Sequence, residues 1–156
     1  MQLRVVAVGQ RMPAWVQQGW DEYAERFPRG LALELREVPM ARRTRNAEVE
    51  RLKLAEGESL LGAVPSGHRI VALDERGKPW STVELAGRLE DWMREEHGVS
   101  FLVGGPDGLS EACRERAQDC WSLSRLTLPH PLVRVLLAEQ LYRAWTVTTN
   151  HPYHRA

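Results

Sequence analysis

The 156-residue chain has only two cysteines, Cys113 and Cys120, and carries no net charge, with 21 Lys and Arg balanced by 21 Asp and Glu. Two cysteines cannot make a disulfide framework, and their seven-residue spacing fits no zinc hook. Zero net charge excludes a protein that coats nucleic acid indiscriminately, since that binding comes from surplus Lys and Arg neutralising phosphates. No apolar run approaches the roughly 18 to 20 residues of a membrane span, and the start MQLRVVAVGQ lacks the basic stretch and long apolar core of a secretory signal. The expectation is one cytoplasmic domain over residues 1–156, without membrane or metal. A chain of this length buries roughly 70% of its unfolded surface, enough for one core.

Neutrality conceals a gradient. Residues 120–156 hold Arg125, Arg134, Arg143 and Arg155 against the single acid Glu139, a balance of +3, which the 17 bases and 20 acids before them offset with −3. His130, His151 and His154 fall in the same segment, at spacings that match no zinc hook. If the protein handles a polyanion, this end is the place to look; a chance imbalance explains three charges equally well.

Short Val-rich or alternating runs at 3–9, 31–38, 68–73, 99–103 and 121–128 read as strands. Helical patterns follow Pro13, cover 47–63, run from Ser81 to about 97, span 110–117 and close the order with 132–148 behind Pro131. Ser81 and Glu84 have the spacing of a capping box, and Ser110 is placed to cap the short helix. Five strands interleaved with helices predict an α/β domain with a mostly parallel sheet. Arg42, Arg43 and Arg45 lie in a connection between two of these elements, as a phosphate grip or as a solvated loop.

In open parallel sheets ligands bind beyond the carboxyl ends of the strands. Three loops leave such ends here, at Leu73-Asp74, at Gly104-Gly105-Pro106-Asp107-Gly108 and in the tail of WSLSRLTLPHP. GGPDG is not a dinucleotide or P-loop fingerprint, and Pro106 removes an amide that a phosphate cradle would use. The loop suits a ligand held by carbonyls, amides and apolar walls, such as an adenosyl group; a plain tight turn has the same composition. The last helix is apolar on nearly all sides, so it needs cover on several, and a second copy of the chain would provide it. Glu139 stands four residues before Arg143 and can pair with it. Arg134 has no acid within helical reach. The tail NHPYHR combines residues that stack on bases, bind phosphate and move protons.

The runs LRVVAVG, RIVALDERGKPW, FLVGGPDGLS, SLSRLTLPHPLVRVLLAEQLYRAW and NHPYHR resemble the ribosomal RNA large subunit methyltransferase H family, pseudouridine N3-methyltransferases of the SPOUT class. The resemblance covers essentially the whole chain. It implies an α/β fold with a C-terminal trefoil knot, which the rule against knotted chains would not suggest. It also implies a homodimer, S-adenosyl-L-methionine as methyl donor, and a pseudouridine of a 23S rRNA stem-loop on the assembled ribosome as substrate. The cofactor positions it implies are Leu73, Gly104, Leu123, Ser124, Arg125, Leu126, Thr127 and Leu128. For catalysis, tail composition and resemblance together point to His154 as base, with Arg143 or Arg155 steadying the anionic ring. Arg134, Tyr153 and Arg155 are the expected RNA contacts, Tyr153 by stacking. The rivals are a non-catalytic ribosome or RNA-binding module with a vestigial cofactor pocket, and a nucleotide hydrolase, which the lack of a phosphate loop disfavours.

Overall fold

A computed structural model describes residues 1–154. Its five strands are β1 (Gln2–Val8), β2 (Ala32–Val38), β3 (Arg69–Pro79), β4 (Gly98–Val103) and β5 (Asp119–Ser122). They form one parallel sheet in the order β2-β1-β4-β3-β5. Helices α1 (Ala14–Ala24), α2 (Val49–Gly62), α3 (Thr82–Glu95), α4 (Glu111–Arg116) and α5 (His130–Thr148) connect and flank the strands. Among the described residues, no helix is long and apolar enough to cross a membrane, and no cluster of His, Cys, Asp and Glu is arranged to hold a metal.

The two-residue period of a strand divides the core between the faces of the sheet. Leu3, Val5 and Ala7 of β1, with Val99, Phe101 and Val103 of β4, pack with Trp20 of α1, Leu89 and Trp92 of α3 and Leu137 and Leu141 of α5. Val6, Val8 and Leu102 point the other way, to Leu60 of α2 and Cys113 of α4. Every residue of β4 is buried, as a central strand covered by helices on both faces requires. Fully burying each of its large side chains stabilises the fold by about 1.5 to 3 kcal/mol.

The sequence-derived boundaries differ from the structure in two informative places. The period-two pattern at 121–128 predicts a strand, but β5 ends at Ser122. Beyond it the chain turns on its own hydroxyls. Ser122 Oγ donates to the Ser124 carbonyl at 2.8 Å, and Ser124 Oγ accepts from the Leu126 N–H at 2.9 Å. Residues 123–128 are therefore loop, free to wall a cleft instead of pairing. Conversely, β3 does not stop at Leu73. Trp121 pairs with both Leu73 and Lys78, so residues 74–77 bulge out of the ladder before the strand resumes. Gly77 makes that return possible, because a Cβ there would lie 2.6 Å from the Cys120 carbonyl. Ser81 Oγ accepts from the Glu84 N–H at 3.1 Å, and Ser110 Oγ accepts from the Cys113 N–H at 3.3 Å, so both helices start at the caps their sequences specify.

Candidate functional site

The carboxyl ends of β3, β4 and β5 open onto one cleft of about 860 Å³. Leu73, Gly104, Leu123, Ser124, Leu126, Thr127 and Leu128 all line it; Arg125 is exposed and does not. Thus seven of the eight positions implied by the resemblance meet at one place, although they lie in three separate stretches of sequence.

Each wall has a local cause. The β3 bulge carries Asp74, Glu75 and Arg76 to the rim. GGPDG folds into a tight turn, with the Gly108 N–H bonded to the Gly105 carbonyl at 3.0 Å and Gly108 at φ +84°. Gly104 must be glycine, because a Cβ would fall 2.6 Å from the Gly108 carbonyl carbon and 2.9 Å from the Leu109 nitrogen. The 123–128 loop is tied across the cleft by Thr127 Oγ1, which donates to Glu75 Oε2 at 2.7 Å. Val103, Leu109, Trp121 and Val133 complete an apolar floor.

The charges around this floor do not suit a phosphate. Arg76 and Arg114 both pair with Asp74, at 3.4 and 3.5 Å, and Lys53 faces Glu50 at 3.7 Å. Burial alone would raise the Asp74 pKa. The Arg76 backbone N–H and the two guanidiniums outweigh that effect and hold the carboxyl below its usual range. An ionised carboxylate at the rim favours a cationic ligand over an anionic one. Beside the floor, Trp121 Nε1 and His130 Nδ1 are buried with no hydrogen-bond partner among the described residues. Burial, followed by the Arg134 charge, holds the His130 pKa below its ordinary value. Apolar walls and close backbone approach fit an adenosyl ligand recognised through main-chain groups.

The remaining predicted residues lie elsewhere. Arg134 is 1% exposed and faces inward. It donates to the Val8 carbonyl at 3.2 Å, to the Gly9 carbonyl at 2.7 Å and to Glu37 Oε2 at 2.5 Å. The acid that explains this charge sits 97 residues away, so a search along the helix could not find it. Arg134 fastens α5 to the ends of β1 and β2, and the expected RNA contact gives way to a structural role. Arg143 donates through Nε and Nη2 to Glu139 Oε1, at 2.9 and 2.5 Å, and lies 5.1 Å from the centre of the Tyr153 ring. The Tyr153 hydroxyl donates to the same Glu139 oxygen at 2.9 Å. Burial and that bond push the Tyr153 pKa up to about 12. His154 is half-buried, and its Nδ1 has no hydrogen-bond partner among the described residues. Arg155 lies outside the described residues.

None of Arg143, Tyr153 and His154 lines the cleft. Tyr153 packs at the level of Glu139, nine residues of helix from His130 at the cleft, or roughly 14 Å of rise. Sequence reasoning missed Trp121 and Val103 as cleft walls, although the strand-end rule covers both. It also missed Lys53 and Arg114, which come from helices on the other face and carry no motif.

Residues 1–154 match the family described as predicted SPOUT methyltransferases. The chain is 59% identical over 155 residues to a protein of Methylococcus capsulatus named ribosomal RNA large subunit methyltransferase H, covering 99% of this chain and 100% of the relative. Proteins of the same name from Hahella chejuensis and a Marinomonas species are 57% and 55% identical over 155 residues, covering 99% of this chain and 99% and 100% of the relatives. A cleft built from three strand ends, together with similarity along the full length, places the chain in the SPOUT methyltransferase family, among the large-subunit ribosomal RNA methyltransferase H proteins.

Proposed function

We propose that the protein is an S-adenosyl-L-methionine-dependent methyltransferase acting on N3 of a pseudouridine in a 23S rRNA stem-loop on the assembled ribosome. The observation that carries this reading is the convergence of Leu73, Gly104 and the 123–128 loop on one cleft whose cations are already paired. When bound there, the donor supplies an electrophilic methyl group. Main-chain groups of Gly104 and residues 123–128 hold its adenosyl part, and the Asp74 carboxylate complements its positive charge.

N3 carries a proton in the neutral base, so the protein must remove it before or during attack, with the reacting atoms held at roughly 3 to 3.5 Å. His154 takes that proton. Tyr153 stacks on the base, and Arg143, oriented by Glu139, steadies the anionic ring. Because this group is separated from the cleft within one chain, the tail of one protomer completes the site of another in a homodimer, on the knotted topology of the class. The partly exposed Leu132 and Leu136 of α5 leave apolar surface for that contact.

Calorimetry with S-adenosyl-L-methionine and mapping of the base labelled on ribosomes test the proposal. Micromolar binding and one labelled pseudouridine are expected; absence of cofactor binding refutes it. A His154→Ala enzyme that keeps the wild-type rate from pH 6 to 8 removes the base. Mixing a tail-deleted protein with a Gly104 variant should restore activity, and a mixture that stays inactive removes the shared site.

A further inference from the structure

Between β2 and α2, residues 39–48 run without helix or strand and carry Arg42, Arg43 and Arg45, with no acid before Glu48. The three arginines are used differently. Arg43 Nη1 donates to Glu56 Oε2 at 2.7 Å and to the Ala41 carbonyl at 2.8 Å, while Nη2 donates to Asp107 Oδ2 at 2.9 Å. Glu56 lies in the middle of α2, is 2% exposed and also accepts the Ala41 N–H at 3.0 Å. Asp107 belongs to the GGPDG turn that walls the cleft. A single guanidinium therefore fastens this segment to a buried carboxylate on one side and to the cleft on the other. Its neighbours Arg42 and Arg45 are exposed and make no ion pair or hydrogen bond among the described residues.

A merely solvated loop has no need of a buried carboxylate as its anchor, because sealing Glu56 from water is unfavourable unless a fixed cation meets it. The anchor holds two unengaged guanidiniums within two residues of a bond to the cleft wall. With no net charge to attract a polyanion from a distance, the protein depends on local groups of this kind for phosphate contacts. Arginine suits the task, since its planar fork takes two phosphate oxygens at once.

We propose that residues 39–48 form an arm that presents Arg42 and Arg45 to RNA phosphates beside the cleft, and that Arg43 is the positioning residue that holds the arm through Glu56 and Asp107. The proposal rests on the reading of RNA as substrate.

The test is ribosome binding by the full-length protein, followed by co-sedimentation over a range of salt concentrations with and without S-adenosyl-L-methionine. Arg42→Gln/Arg45→Gln should melt like wild type and bind the cofactor equally well, yet bind ribosomes about tenfold more weakly at low salt. Its log affinity should fall less steeply with log salt, by about 1.4 to 1.8, the share of two phosphate contacts. Arg43→Lys keeps the charge and loses the two-sided bridge, so weaker ribosome binding in that variant marks positioning. If Arg43→Lys also melts early, Asp107→Asn takes the charge out of the cleft-side bond alone and should weaken ribosome binding at an unchanged melting temperature. A double variant with wild-type affinity and salt slope overturns the arm; wild-type ribosome binding by both Arg43→Lys and Asp107→Asn overturns the positioning role. A wild-type protein that binds ribosomes more tightly and with a steeper slope than the double variant, but transfers no methyl group, refutes the catalytic reading and supports the arm. A wild type that binds no ribosome refutes both.

Discussion

Replacing Arg134 by methionine tests whether this arginine is an internal fastener or an RNA contact. Methionine keeps much of the apolar stem and removes the guanidinium. The carbonyls of Val8 and Gly9 then lose a charged donor inside the fold, where such bonds contribute about 1.5 to 3 kcal/mol each. Two effects offset part of the loss. Glu37 is 31% exposed, so water solvates its freed carboxylate, and Arg134 Nε, buried with no partner among the described residues, is removed together with its desolvation cost. The expected net loss is about 3 kcal/mol, near the lower bound for breaking a buried pair. In a chain of this size that lowers the melting temperature by roughly 6 to 12 °C. Urea unfolding at fixed protein concentration measures the effect, and a double-mutant cycle with Glu37→Gln separates the ion pair from the carbonyl bonds. The pair should account for less than about 1 kcal/mol, because one partner is partly solvated. If Arg134→Met unfolds within about 0.5 kcal/mol of wild type while binding ribosomes more weakly, the assignment is wrong, since surface changes remain within that range.

Three further outcomes follow from the geometry. Gly104→Ala puts a methyl group against backbone that cannot rotate away, so the fold should lose about 1 to 3 kcal/mol and cofactor affinity should fall more than tenfold in calorimetry; wild-type affinity contradicts the close-approach reading. Tyr153 keeps its proton to about pH 12 when folded and loses it near 10 when unfolded, so its contribution to stability is present below pH 10 and disappears between 10 and 12. Phenolate absorbance should show a late step that Tyr153→Phe abolishes; if the variant instead removes a step near pH 10, the environment described for Tyr153 is incorrect. His68 bonds to Ser100 Oγ at 2.9 Å, and burial followed by the Arg4 charge holds its pKa below the ordinary 6.5. Below pH 6.5 the unfolded chain takes up that proton first, so stability declines on acidification, and His68→Gln should flatten the decline. Coincident pH profiles for variant and wild type would count against it.

The strands and helices were largely legible because hydrophobic periodicity and caps are local. The ends of β3 and β5 were not, since they depend on how Trp121 pairs with two residues of another strand. The same limit applies to the charges. Glu139 and Arg143 share one helix face and can be paired by counting. Arg134 with Glu37, or Arg43 with Glu56 and Asp107, cannot, because their partners arrive from other elements. The cleft residues were readable as strand ends, yet nothing local indicates that three such ends meet.

By itself the sequence determined the layered α/β class, the neutral and cysteine-poor character, and the motifs that carry the family resemblance, because each is written in neighbouring residues. Tertiary structure alone decided which arginines face solvent, which carboxylates are buried, and that the tail group stands apart from the cleft. Those outcomes depend on long-range packing, where the desolvation of a charge is set by whatever the fold brings against it.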